Sequence, residues 1–298
     1  MKRKPTAILT GDLEWRATVP ECRTDDFFSE QTRKWQWLCA LQEKYDCPVL
    51  DSGDVFDQWK SPPWLEVLAL QNTPLEFYTV PGNHDLPGHN LENFARSSLA
   101  VLQAAGRAQV LLQPHHAPFA NLYPFPWGAA LAPRTDDDNG LPCVAMCHVM
   151  TYEGESPWPG CTDTEAKRLL RKMKGYDLVL TGHNHKPFVV ELKGRLLVNP
   201  GSLMRATADQ ADFQPRVYLW FAETNEVEPV FVPIQPGVIS RKHLDRKAQK
   251  DGRMAAFVDS LSGEYEVGAR FEHNLEVFFA NNQARESVKI IVMEAVVG

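Results

Sequence analysis

No stretch of this sequence approaches the ~20 consecutive apolar residues that a bilayer-spanning helix needs, so neither a membrane-embedded chain nor a membrane partner is expected. C-x-x-C pairs are missing too. The six cysteines, at positions 22, 39, 47, 143, 147 and 161, are scattered through a long chain, which predicts reduced, partly buried thiols in a cytoplasmic protein. An excess of positive charge is also lacking. The formal net charge is −7, which does not advertise nucleic-acid binding, although bound metal cations would reverse the local field where a phosphate sits. The start, Met1-Lys2-Arg3-Lys4, is basic in the manner of an export signal. The apolar stretch after it is interrupted at Gly11-Asp12, so no such signal is expected. There is no internal repeat of fixed period.

What is present is ordinary globular material: 298 residues with 44% hydrophobic and 23% charged, room for one large domain with an appendage or for two modest domains. The first two-thirds alternates short apolar runs with amphipathic stretches, the mark of an α/β layered fold. Strands are expected at 6–10, 48–50, 76–80, near 123–127, at 144–147 and at 178–180. Helices are expected at 23–45, 63–71, 91–105 and 162–173. From Pro114 to Pro142 an irregular loop with an Asp136-Asp137-Asp138-Asn139-Gly140 turn flanks one of those strands. A β-rich stretch follows, at 188–192, 195–198, 217–222 and 226–232. Pro233–Gly237 then breaks the pattern, which divides the chain into a catalytic domain at 1–235 and a helical C-terminal region at 236–298. Three amphipathic stripes mark that region: Met254, Phe257, Val258, Leu261; Phe271, Leu275, Phe278; and Val288, Ile291, Val292, Ala295. They predict either a cap or a docking surface.

Five of the expected strands in the first part end in short polar clusters: Asp12-Leu13-Glu14, Gly53-Asp54, Gly82-Asn83-His84-Asp85, His148 and Gly182-His183-Asn184-His185. Adjacent strand ends in layered α/β folds converge on one edge, where ligands bind. Seven nitrogen and oxygen donors delivered there are what two divalent cations sharing a carboxylate require. Such a pair, ~3.5–4 Å apart, clamps both the attacking and the leaving oxygen of an in-line displacement at phosphorus.

The order and spacing of these clusters resemble the calcineurin-like metallophosphoesterase superfamily, with its D-x-H, G-D-x-x-D, G-N-H-D, H and G-H-x-H motifs, from about residue 6 to residue 205. The resemblance implies two packed mixed β-sheets flanked by helices, here with a small C-terminal helical region. It places Asp12, Glu14, Asp54 and His185 on a first divalent metal, and Asn83, His148, His183 and the shared Asp54 on a second. A hydroxide held between the metals would attack phosphorus. His84 would protonate the leaving oxygen, with Asp85 orienting its ring.

One departure stands out, because the first motif of the family ends in histidine and this chain has Glu14. A glutamate ligates hard ions and adds negative charge, which favours Mn²⁺, admits Mg²⁺ and disfavours Zn²⁺. The competing reading is a weak or empty first site. Within the superfamily the wording resembles the SbcD-like DNA repair nucleases, through Arg23 with Asp25 or Asp26 before a long helix, Gly53-Asp54-Val55-Phe56-Asp57, and Tyr123-Pro124-Phe125-Pro126-Trp127-Gly128. That resemblance implies a metal-dependent DNA exonuclease with some endonuclease activity. It also implies an SbcC-like coiled-coil ATPase partner docking on the C-terminal helices, and a homodimer is a further expectation. Two alternatives stand beside it: a nucleotide or small-molecule phosphodiesterase or phosphatase, and a non-catalytic scaffold whose first metal site Glu14 has disabled. His89 and Arg205 are candidate phosphate contacts. His115 and His116 are expected to be loop residues, and Cys143 and Cys147 packing residues.

Overall fold

The computed structural model describes residues 3–135, 139–261 and 271–297, so residues 136–138 of the expected turn lie outside it. Two units form, Met1–Ser240 and Arg241–Gly298. The expected boundary at 235 falls shortly before that division. Val238 O accepts from Thr24 N, and Ser240 N donates to Cys22 O, so the stretch past Gly237 is still bound to the first unit.

In the first unit the chain forms β1 (Ala7–Thr10), α1 (Phe27–Tyr45), β2 (Val49–Asp51), α2 (Pro63–Asn72), β3 (Phe77–Thr79), α3 (Ser98–Ala104) and β4 (Gln109–Val110). There follow β5 (His115–His116), β6 (Asn121–Phe125), β7 (Cys143–Cys147), β8 (Thr151–Tyr152), β9 (Thr164–Glu165), α4 (Ala166–Lys172) and β10 (Leu178–Thr181). The last strands are β11 (Phe188–Leu192), β12 (Arg195–Asn199), β13 (Arg216–Phe221) and β14 (Glu226–Phe231). They make two six-stranded sheets, in the orders β14-β13-β1-β2-β3-β4 and β11-β12-β10-β7-β6-β5. Both are mixed. β1 to β4 run parallel in the first and β6, β7, β10 and β12 in the second, while β13, β14, β11 and β5 are joined by antiparallel pairing.

Period-two alternation along each strand supplies two apolar faces per sheet. Leu9, Leu50, Val80, Val144, Met146 and Leu180 pack between the sheets. Ile8, Val49 and Phe77 face the other way, onto Trp35 and Leu38 of α1 and Leu65 of α2. Ala145, Val179 and Leu197 meet Leu169 and Leu170 of α4. The result is a helix–sheet–sheet–helix sandwich. Because the central strands of each sheet share a direction, β1, β2, β3, β7 and β10 deliver the residues after them to one edge.

Two expected helices differ. The one at 91–105 is split, because Ser97 is extended (φ −99°, ψ 158°) and its hydroxyl caps the next helix by accepting from Ala100 N. That leaves a 3-10 segment, Leu91–Arg96, ahead of α3. The one at 162–173 opens as β9, which pairs with β8. Glu165 ends that strand and caps α4 by accepting from Lys167 N and Arg168 N.

The second unit holds α5 (Lys242–Leu261), α6 (Phe271–Asn281) and α7 (Glu286–Val297). Phe279 is its buried aromatic residue among those described. The side chains of Phe257, Val258, Leu261, Phe271 and Ala295 in the expected stripes lie outside the described residues. No described helix is long and apolar enough to cross a membrane.

Candidate metal centre

The loop after β1 runs alongside the loop after β2. Asp12 N donates to Gly53 O (3.1 Å), Glu14 N to Asp54 O (2.9 Å), Trp15 N to Val55 O (2.8 Å) and Asp57 N to Trp15 O (3.1 Å). Asp12, Glu14 and Asp54 all take left-handed backbone at φ 47°, 47° and 55°. Strain of this kind persists only where the surroundings over-determine it, and it clusters at functional sites. Gly82 allows the β3 loop to close on the same point, since a Cβ there would sit 2.0 Å from Asp54 Oδ1.

One donor group gathers Asp54, Asn83, His148 and His183. The carboxylate of Asp54 and the ring nitrogens of His148 and His183 lie within 4.8 Å of one another. His148 Nδ1 donates to Ser52 O at 2.8 Å, which turns Nε2 toward Asn83 Oδ1 at 3.0 Å and Asp54 Oδ2 at 3.1 Å. Asn83 Oδ1 also lies 2.9 Å from His183 Nδ1. Asp54 Oδ2 is buried and accepts no hydrogen bond of acceptable geometry. In a neutral His148 whose proton is on Nδ1, this would point one lone pair at two other acceptors. Without a cation the group relieves the conflict by protonation. Burial acts to lower the His148 pKa, but Asp54 and Asp12 overcome it and push the ring up to about 10. Burial and the charge on His148 then hold His183 down at about 4. A buried cluster of facing lone pairs, one carboxylate oxygen orphaned, fits a dication that takes the place of the proton.

A second group lies beside it. His185 Nε2 is 3.8 Å from Asp12 Oδ1 and 3.6 Å from Glu14 Oε1. Asp12 and Glu14 are buried, while the His185 side chain keeps 37% of its surface exposed, so this side opens to solvent. Burial lifts Glu14 to about 7 against the pull of His185 and Arg16. The group is braced from behind: Leu203 N donates to Asp12 O, Ser202 N to His185 O, and the buried Lys34 of α1 donates to Leu203 O at 2.9 Å. Asn199, at the end of β12, completes the brace by donating to Asn184 O at 2.8 Å.

Residues 36–215 match the family model of the calcineurin-like phosphoesterase superfamily domain. The chain belongs to that superfamily. The matched span contains the clusters at 53–57, 82–85, 148 and 182–185, and the Asp12-Leu13-Glu14 cluster precedes it. No curated protein matches the chain. Among solved structures, an archaeal phosphodiesterase superposes at a TM-score of 0.40 with 10% identity, over 76% of this chain and 98% of that one. A putative 5'-nucleotidase from Staphylococcus aureus, in complex with α-ketoglutarate, gives 0.39 and 12% over 78% of this chain. This chain spans about half of that nucleotidase, 54% of its length.

Three residues expected to serve the site have other partners in the structure. Asp85 does not touch the His84 ring. Its carboxylate accepts from Gly82 N (3.0 Å), Phe56 N (3.0 Å) and Val55 N (3.3 Å), so it pins the β2 and β3 loops together. The ring of His84 is set instead by Asp57 O, which accepts from Nδ1 at 2.7 Å. Arg205 is buried and donates to Ala211 O (2.9 Å) and Gln235 O (2.7 Å), so its guanidinium closes the fold. His89 is exposed and donates from Nδ1 to Asn83 O at 2.9 Å, holding the main chain of a donor residue. His115 and His116 lie on the edge strand β5, where His116 Nδ1 is 2.6 Å from Asn121 Oδ1. Cys143 and Cys147 are buried in the core beneath α4.

Two neighbours of the centre escaped the sequence reading. The ring of Trp127 lies 5.0 Å from that of His183 and 6.1 Å from that of His148. Its signal was topological, since β6 is parallel to β7 and both end at this edge. Arg16 lies between Glu14 and Asp57, and its signal was its position two residues past Glu14.

Proposed function

We propose that this chain is a two-metal-ion phosphodiesterase acting on DNA, as an exonuclease with endonuclease activity. The observation that carries the chemistry is the set of facing lone pairs at His148 Nε2, Asn83 Oδ1 and Asp54 Oδ2. Asp54, Asn83, His148 and His183 would hold one divalent ion, and Asp12, Glu14, Asp54 and His185 the other, with Mn²⁺ preferred for the oxygen-rich set. When bound, such ions neutralise phosphoryl oxygens and lower the pKa of water. The residues do the rest. His84 Nδ1–H is spent on the Asp57 carbonyl, which leaves Nε2–H as the proton for the leaving oxygen. Burial opposes protonation of His84, but Asp54 and the Asp57 carbonyl raise its pKa. The ring is therefore favoured in the form a general acid needs.

DNA as substrate is supported by the nuclease-like segments, among them the paired hydrogen bonds from Arg23 to Asp25 (2.8 and 2.5 Å) just ahead of α1, and by the open side at His185. In this reading the cytoplasmic chain docks a coiled-coil ATPase on its helical second unit and works as a homodimer. A nucleotide or other small phosphodiester is the second reading, favoured by the net charge of −7, which repels a polyanion. The test is Mn²⁺-dependent digestion of labelled single- and double-stranded DNA beside bis-p-nitrophenyl phosphate. Cleavage of all or of DNA alone is expected. Hydrolysis of the small diester without DNA cleavage selects the second reading, and no hydrolysis of either overturns both.

A further inference from the structure

The guanidinium of Arg16 spans two buried carboxylates. One nitrogen lies 2.7 Å from Asp57 Oδ1 and the other 3.7 Å from Glu14 Oε2. The remaining Nε–H is buried without a partner. Its main chain is fixed from α1, where the buried Gln31 accepts from Arg16 N (2.8 Å) and donates to Arg16 O (3.3 Å). Arg16 and Asp57 are neighbours across the parallel bridge of Trp15 and Phe56. The other Glu14 oxygen, Oε1, faces His185 Nε2. Glu14 thus presents one oxygen to the candidate metal position and turns the second toward a fixed cation. We propose that Arg16 is a positioning and charge-balancing residue for Glu14, so that the Glu14–Arg16 pair serves the metal centre as a single neutral ligand would.

A carboxylate and a guanidinium together carry no net charge, and neither does a neutral imidazole. The centre therefore keeps the positive potential that attracts phosphate, despite its additional carboxylate. A lone glutamate would lower that potential by one unit. The aim of Glu14 follows from the same contact, since the side chain has rotamer freedom that the Arg16 contact restricts. Asp57 stays in place in every comparison below, so its charge cancels.

The inference rests on the metal-centre reading, and its test separates the two. Binding of inorganic phosphate to the Mn²⁺-loaded protein is measured by calorimetry, with bound manganese counted in parallel, for wild type, Arg16→Met, Glu14→His and the double variant. One unit of charge at this range is worth roughly tenfold in phosphate affinity. The expected order is Glu14→His tightest, wild type and the double variant alike, and Arg16→Met weakest with its manganese retained. Arg16→Lys, which keeps the charge, recovers most of the loss. If Arg16→Met does not fold, Arg16→Gln supplies the neutral side chain. Phosphate binding by Arg16→Met equal to wild type would overturn the inference. So would a double variant as weak as Arg16→Met, which would assign Arg16 to structure or to direct phosphate contact. Wild type that binds neither manganese nor phosphate overturns the metal centre itself.

Discussion

The two oxygens of Asp54 have different tasks. Oδ1 accepts from His84 N at 2.8 Å, while Oδ2 faces His148 Nε2 at 3.1 Å. One carboxylate thus ties the loop that carries the proposed proton donor to the candidate metal group. The two functions remain separable at His84, whose ring touches no other candidate ligand side chain at hydrogen-bond distance among the described residues. His84→Ala should lower phosphodiester turnover by ~10²–10⁴, the worth of a general acid, and leave bound metal unchanged. Loss of metal in the variant would contradict that role. Protons also report on the centre. Glu14 at about 7 and His148 at about 10 both lie above their ordinary values of 4.5 and 6.5. In the metal-free protein each contributes stability that is complete below the ordinary value and lost as pH rises through the folded one. For Glu14 that window runs from 4.5 to about 7, and for His148 from 6.5 to about 10. A metal must displace these protons. Manganese affinity should therefore rise with pH, with protons released on binding near neutral pH, as calorimetry in buffers of different ionisation enthalpy would measure. Binding with no proton release would contradict this.

The strands that lead to the site were legible, because alternating apolar residues such as Ile8 and Leu9 must face different layers, and each of those runs stops at a polar cluster. The two-residue strands β4, β5, β8 and β9 were not, being too short to show a period and lying where loop or helix was expected. The candidate ligand clusters were legible for the same reason as the strands that lead to the site: they follow the strands that end at one edge. The break at Ser97 was not, since a serine inside an apolar-periodic stretch reads as helix until its hydroxyl is seen to cap. Asp85 was misassigned because its partners are three main-chain N–H groups that only the folded loops bring together. Arg205 was misassigned because its partners, Ala211 O and Gln235 O, come from segments without motif. Loop closure also sets an element-scale prediction. At Gly82 an added Cβ would lie 2.0 Å from Asp54 Oδ1 and 2.5 Å from Asp54 N, and neither backbone nor carboxylate can give way cheaply. Gly82→Ala should abolish manganese binding and lower Tm, both read on purified protein. A variant that still binds manganese with wild-type affinity would contradict the close packing of these loops.

At the scale of the whole molecule, every candidate ligand precedes Ser240, where the first unit ends. Residues up to that point are tied back to the first unit, through Ser240 N to Cys22 O and Thr24 N to Val238 O. Chain ending at Ser240 should therefore fold, bind metal and hydrolyse bis-p-nitrophenyl phosphate. Soluble truncated protein without metal would make the helical unit part of the catalytic fold. The central claim is a pair of metals sharing Asp54, and the most direct measurement is anomalous diffraction at the manganese edge from Mn²⁺-soaked crystals. The account predicts two peaks ~3.5–4 Å apart, one against Asn83, His148 and His183 and one against Asp12, Glu14 and His185, with Asp54 between them. A single peak against Asn83, His148 and His183, with Glu14 turned away from an empty position, would contradict it.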